Sequence, residues 1–143
     1  MTSIVEYMTV QHRCCDDSFA AAEAAVSDQN WTEAEKQWSA FSRDLEIHLE
    51  NEEQTLFPAF EEADGHTGGP TSVMRMEHQQ MRELVEATTN ALKEKNVEKY
   101  LGLSETFMVL MQQHNMKEEQ ILYPMTQQTL PNSDAIVSDM TDL

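Results

Sequence analysis

His48-Leu49-Glu50-Asn51-Glu52-Glu53-Gln54-Thr55-Leu56-Phe57-Pro58 recurs as His114-Asn115-Met116-Lys117-Glu118-Glu119-Gln120-Ile121-Leu122-Tyr123-Pro124, with every matched position displaced by 66 residues. The same displacement carries His12 onto His78, and each of these lies 36 residues before the histidine of its own copy. Four of the five histidines therefore belong to one internal repeat. Within each copy His and Glu stand at i and i+4, which on a helix places both side chains on one face. The repeat thus specifies helices, and helices that aim imidazole and carboxylate at a common place.

The surrounding pattern extends this reading to the whole chain. Ser3-x-x-Glu6 is a capping-box signature, and Met8, His12, Cys15 and Phe19 follow on one face of a helix running to about residue 27. Asn30 with Glu33 starts a second helix reaching about residue 62, with Leu45, His48, Glu52 and Leu56 in one stripe. Asp64 to Pro70 holds the only Gly/Pro cluster and marks the midpoint loop, with Pro70 suited to the first turn of a third helix. Met74, His78, Met81 and Val85 share a face of that helix, and Asn96 caps a fourth spanning about 97 to 128. Short links make consecutive helices antiparallel, so the expected fold is all-α, an up-down-up-down four-helix bundle built from two repeated helical hairpins. Pro58 and Pro124 fall inside helices and are expected to bend or locally end them.

At 143 residues the chain has the size of one domain, expected over residues 1–128, with 129–143 as an acidic, flexible C-terminal tail. Four glycines and four prolines are too few for an all-β chain. Neither a secretory signal nor a membrane-spanning stretch is legible, and the two adjacent cysteines, Cys14 and Cys15, form no disulfide framework. The expected location is the cytoplasm. A net charge of −17 argues against nucleic acid and anionic membranes as partners, and reads first as a solubilising surface.

His12, His48, Glu52, His78, His114 and Glu118 are the candidate metal ligands. Two carboxylates buried without partners would cost several kcal/mol, and cations remove that cost. Imidazole with carboxylate suits iron, with zinc, manganese and cobalt as competitors, and no thiolate set points to structural zinc. If Glu52 and Glu118 each bridge, each of two metals receives two histidine nitrogens and two carboxylate oxygens, and an open position remains for small-molecule chemistry. The ferritin-like Glu-x-x-His pattern is absent, because Thr9, Leu45, Ala63, Arg75 and Met111 stand three residues before the histidines. There is no HExxH motif either.

With these motifs in place, the chain resembles the hemerythrin-like HHE cation-binding domain family over residues 1 to about 128. The likeness rests on His12, His48-x-x-x-Glu52, His78 and His114-x-x-x-Glu118, with Leu56-Phe57-Pro58 and Leu122-Tyr123-Pro124. The resemblance implies a non-haem di-iron centre, two iron ions bridged by Glu52, Glu118 and an oxo or hydroxo group. Family members reversibly bind O2, sense O2 or iron, or repair nitrosative damage to iron centres. The implied function is binding or sensing of O2 or a related diatomic. The alternatives are a di-iron enzyme acting on NO or peroxide, iron oxidation, or repair of iron centres; a third is an iron sensor or store. The implied partners are O2, NO or peroxide, with a protein partner or reductase. Two positions depart from the oxygen carriers. Met74 stands where they place a second histidine on the third helix, and Glu118 lies four residues after His114 where they have an aspartate at five. His66, in the midpoint loop, is a candidate additional ligand. Glu53 and Glu119 lie about 100° around the helix from the ligand face and are expected in solvated or inter-helix ion pairs, with support of a histidine as the alternative. Tyr7, Tyr100 and Tyr123 are read as packing residues, any of which could bring a phenol near the site. Met74, Met81, Met108, Met111 and Met125 are expected to line a soft apolar pocket for a gas.

Overall fold

The computed structural model describes residues 2–64 and 69–143. His66 lies outside the described residues. The chain forms α1 (Ile4–Ser27), α2 (Trp31–Glu50), α3 (Phe57–Asp64), α4 (Pro70–Lys93), α5 (Val97–Lys117), α6 (Tyr123–Thr129) and α7 (Ser133–Ser138). Two π-helical segments, Asn51–Leu56 and Glu118–Leu122, join α2 to α3 and α5 to α6. The starts of α1, α2 and α5 are capped as the sequence indicates. Ser3 Oγ, Asn30 Oδ1 and Asn96 Oδ1 accept from the amides of Glu6, Glu33 and Lys99 at 3.1, 3.3 and 3.0 Å. α1 packs most extensively on α2, and α4 on α5, while α1–α5 and α2–α4 contacts close the ring of four. This is the expected all-α bundle of two repeated hairpins.

The prolines neither end nor break their helices. The Phe57 and Tyr123 amides reach back five residues, to the carbonyls of Glu52 and Glu118. Pro58 and Pro124 follow directly, and each lacks an N–H while its ring crowds the carbonyl four residues earlier. Widening the turn by one residue removes the crowding without interrupting the helix, and such π-bulges recur at functional sites.

The core has two parts with a polar layer between them. Phe19, Trp38, Phe41, Tyr100, Phe107 and Met111 belong to one cluster. Ile4, Met8, Leu56, Phe57, Met74, Leu122 and Tyr123 belong to the other. Each long helix passes from one cluster to the other at its candidate ligand: Met8 to Cys15 across His12, Met74 to Met81 across His78, Leu45 to Leu56 across His48 and Glu52, Met111 to Leu122 across His114 and Glu118. The methionines are split by that layer: Met81 and Met111 lie on one side, Met74 on the other, and Met125 is exposed. They do not line a single pocket. Cys15 is a core residue, and Cys14 is exposed.

The C-terminal segment corrects the expectation of a loose tail. Leu130, Ile136 and Met140 are buried against the second cluster, and α7 packs on α1. Thr141 and Asp142 are tied to the bundle through Asn51, Gln11 and Tyr7. The acidic composition concealed the apolar residues that supply the anchoring area: Leu130, Ile136 and Met140, with Val137 and Leu143 partly buried beside them. No helix among the described residues is long and apolar enough to cross a membrane.

Candidate metal centre

The fold brings the six repeat residues together. His12, His48, Glu52, His78, His114 and Glu118 are all buried, the two glutamates at 0 % exposure. Glu52, His78, His114 and Glu118 offer ligand atoms that lie within 4.8 Å of one another, and so do His12, His48 and Glu118. The carboxylates cross between hairpins: Glu52 Oε1 is 3.0 Å from His78 Nε2, and Glu118 Oε1 is 3.0 Å from His12 Nε2. Within their own helices Glu52 lies 3.5 Å from His48 Nε2, and Glu118 lies 3.3 Å from His114 Nε2.

Every one of these histidines is held from behind. His78 Nδ1 donates to Glu53 at 2.7 Å, His12 Nδ1 to Glu119 at 2.7 Å, and His114 Nδ1 to Glu77 at 2.7 Å. His48 Nδ1 donates to Gln11 Oε1 at 2.9 Å. A carboxylate or amide oxygen behind Nδ1 fixes the proton there and turns the Nε2 lone pair inward, the usual support for a metal-binding imidazole. Glu53 also pairs with Arg82, and Glu77 with Lys117. Of the two readings for Glu53 and Glu119, support of a histidine of the opposite hairpin holds for both, and Glu53 adds to it a two-point ion pair with Arg82. Gln11 and Glu77 were not singled out from the sequence, although the repeat aligns them, each directly before its histidine.

Tyr123 is the tyrosine that reaches the centre. Its hydroxyl donates to Glu52 Oε2 at 2.7 Å and lies 3.0 Å from Glu118 Oε1 and 3.1 Å from His12 Nε2. Its repeat counterpart is Phe57, whose ring stacks on His78 with centroids 5.6 Å apart. One half of the centre is thus roofed by a phenyl ring and the other by a phenol. Tyr7 instead bonds Asp142, and Tyr100 belongs to the distal aromatic cluster.

The donor set fits cations. Glu52 Oε1, Glu118 Oε2, His78 Nε2 and His114 Nε2 are buried and make no hydrogen bond, despite their proximity. His12 Nε2 and His48 Nε2 stand 3.1 Å apart, lone pair towards lone pair once both Nδ1 atoms carry protons. Buried polar atoms left unmatched and facing one another are costly, and positive charge between them removes that cost.

Without a metal, protons take the cation's place. Burial alone would push His12 and His78 down, but the surrounding carboxylates outweigh it and raise both to about 9. Burial and the adjacent Glu118 raise Glu52 to about 7. Burial opposes ionisation of Glu118 as well, but His114, Glu52 and His12 hold it well below the ordinary carboxylate range. Groups raised above their ordinary values stabilise the fold below those values and lose that contribution as pH rises. The metal-free protein is therefore expected to lose stability between about pH 6.5 and 9, where His12 and His78 give up their extra protons. Thermal unfolding in chelator across that range checks this; a midpoint that rises with pH would contradict it. Metal loading should release protons over the same range.

A family model, the hemerythrin HHE cation binding domain, matches residues 3–126. The chain belongs to the hemerythrin HHE family. Comparison with curated proteins and with solved structures gave no match. This HHE domain is accordingly a helical, cation-binding one, and its buried histidine–glutamate cluster lies within the matched residues.

Proposed function

We propose that this HHE domain holds two iron ions in the bundle core and takes up O2 or a related diatomic there. The observation that carries the proposal is the closed set of four inward-facing imidazoles and two fully buried carboxylates. His78 and His114 would serve one ion, and His12 and His48 the other, with Glu52 and Glu118 shared. Iron, when bound, supplies the electrons for chemistry on the small molecule. The protein's own residues fix the imidazole tautomers from behind, exclude water through the two apolar clusters, and keep the carboxylates in place between the hairpins.

Tyr123 favours a second reading, turnover of peroxide or NO. Its hydroxyl is a proton donor directed at both carboxylates. Burial and the carboxylates hold its pKa well above the ordinary value, so it keeps its proton at neutral pH. An oxygen carrier needs no such donor, whereas reduction of peroxide to water consumes protons.

Metal analysis together with visible spectra before and after air exposure tests the leading reading. Two irons per chain with oxygen-dependent charge-transfer bands are expected, whereas one zinc per chain with no spectral response would refute it. Consumption of peroxide or NO that falls in Tyr123→Phe, with iron content unchanged, would establish the second.

A further inference from the structure

The two halves of the centre are supported by different chemistry, and the difference leads to the C-terminal segment. Behind His114 stand Glu77 and Lys117, an ion pair within the bundle. The residues aligned with them by the repeat are Gln11 and Asn51, which stand behind His48 as an amide pair. Both changes occur together, so the support remains neutral while its character changes. The amide pair alone is tied to the C-terminal segment. Gln11 Nε2 donates to the Thr141 carbonyl at 3.2 Å, and Asn51 Nδ2 donates to the same carbonyl at 2.8 Å. The Thr141 amide donates to Asn51 Oδ1 at 2.9 Å.

A glutamine behind a histidine poses a problem that a glutamate does not. Both oxygens of a carboxylate accept, so either orientation keeps the proton on Nδ1. An amide has one accepting end and one donating end. Turned the wrong way, Gln11 would donate to Nδ1, and the proton would move to Nε2, where it blocks ligation. The Thr141 carbonyl accepts from the Gln11 NH2 group and thereby keeps Oε1 towards His48.

We propose that Thr141, acting through Gln11 and Asn51, is a positioning residue for His48, so that the C-terminal segment completes one of the two metal positions and not the other. This rests on the paired-metal reading above. The same contacts make the His12/His48 position the one sensitive to displacement of the segment.

The test titrates cobalt(II) into three metal-free proteins without oxygen: the full chain, a chain ending at Met140, and that shortened chain carrying Gln11→Glu with Asn51→Lys. The full chain should take two cobalt ions. The shortened chain should keep one affinity and weaken the other about tenfold or more, the range seen when a partner behind a metal-bound histidine is lost. The double substitution recreates the Glu77–Lys117 pairing, which needs no outside lock, and should restore the second affinity. Unchanged affinities in the shortened chain, equal weakening of both, or failure of the substitution to restore the lost one would each overturn the proposal. A full chain that takes a single ion would instead overturn the paired-metal reading. In the full chain the Thr141 amide should gain protection from hydrogen exchange on addition of the second equivalent; unchanged exchange would count against the proposal even if the shortened chain folds poorly.

Discussion

A chain carrying Glu52→Ala with Glu118→Ala is expected to lose paired-metal binding altogether, while keeping its helix content. Both carboxylates lie at 0 % exposure between the histidines of the two hairpins, and each faces one histidine of its own helix and one of the other hairpin. Their removal leaves each position two imidazoles and no negative charge to offset a divalent cation. The same substitution removes part of what raises His12 and His78 and leaves the contributions of Glu119 and Glu53, so the fall in stability above about pH 6.5 should be smaller in the metal-free variant. Stoichiometry by mass spectrometry under native conditions and unfolding by circular dichroism read the two effects separately. Two retained metals per chain would refute the bridging role.

Metal loading is expected to raise the unfolding midpoint of the unaltered chain by roughly 10–20 °C. Free metal at a hundredfold excess over its dissociation constant stabilises by about 2.7 kcal/mol per site, hence roughly 5 kcal/mol for two. A domain of about 150 residues converts each kcal/mol into about 2–4 °C. The direct physical source is relief of the unmatched buried atoms of Glu52, Glu118, His78 and His114. Scanning calorimetry with and without chelator measures the shift; a midpoint indifferent to metal would show that protons satisfy the cluster as well as cations do.

The bundle and the convergence of its six polar residues were legible in the repeat, because helical spacing fixes which side chains share a face. Three things were not. A π turn differs from an α turn by one residue, and a proline is compatible with a bend, an end or a bulge. The partners behind the histidines are contacts between helices, and sequence spacing gives only the faces within one. Glu53 and Glu119 looked misaligned on their own helices, and the reach to His78 and His12 depends on how the hairpins pack. The docking of the C-terminal segment rests on a short apolar face, Ile136, Val137 and Met140, with Leu130 before it, inside a stretch that is otherwise polar and acidic.

The crossing of the carboxylates bears on how the molecule comes apart. Glu52 and Glu53 of the first hairpin engage His78 of the second, and Glu118 and Glu119 of the second engage His12 of the first. Neither hairpin by itself contains a finished half of the centre. The chain is in effect a dimer of its own two halves joined covalently, and separating them exposes charge that each half leaves unmatched. Partial unfolding of one hairpin therefore forfeits the interactions of both, which favours a single cooperative transition over an intermediate with one hairpin intact.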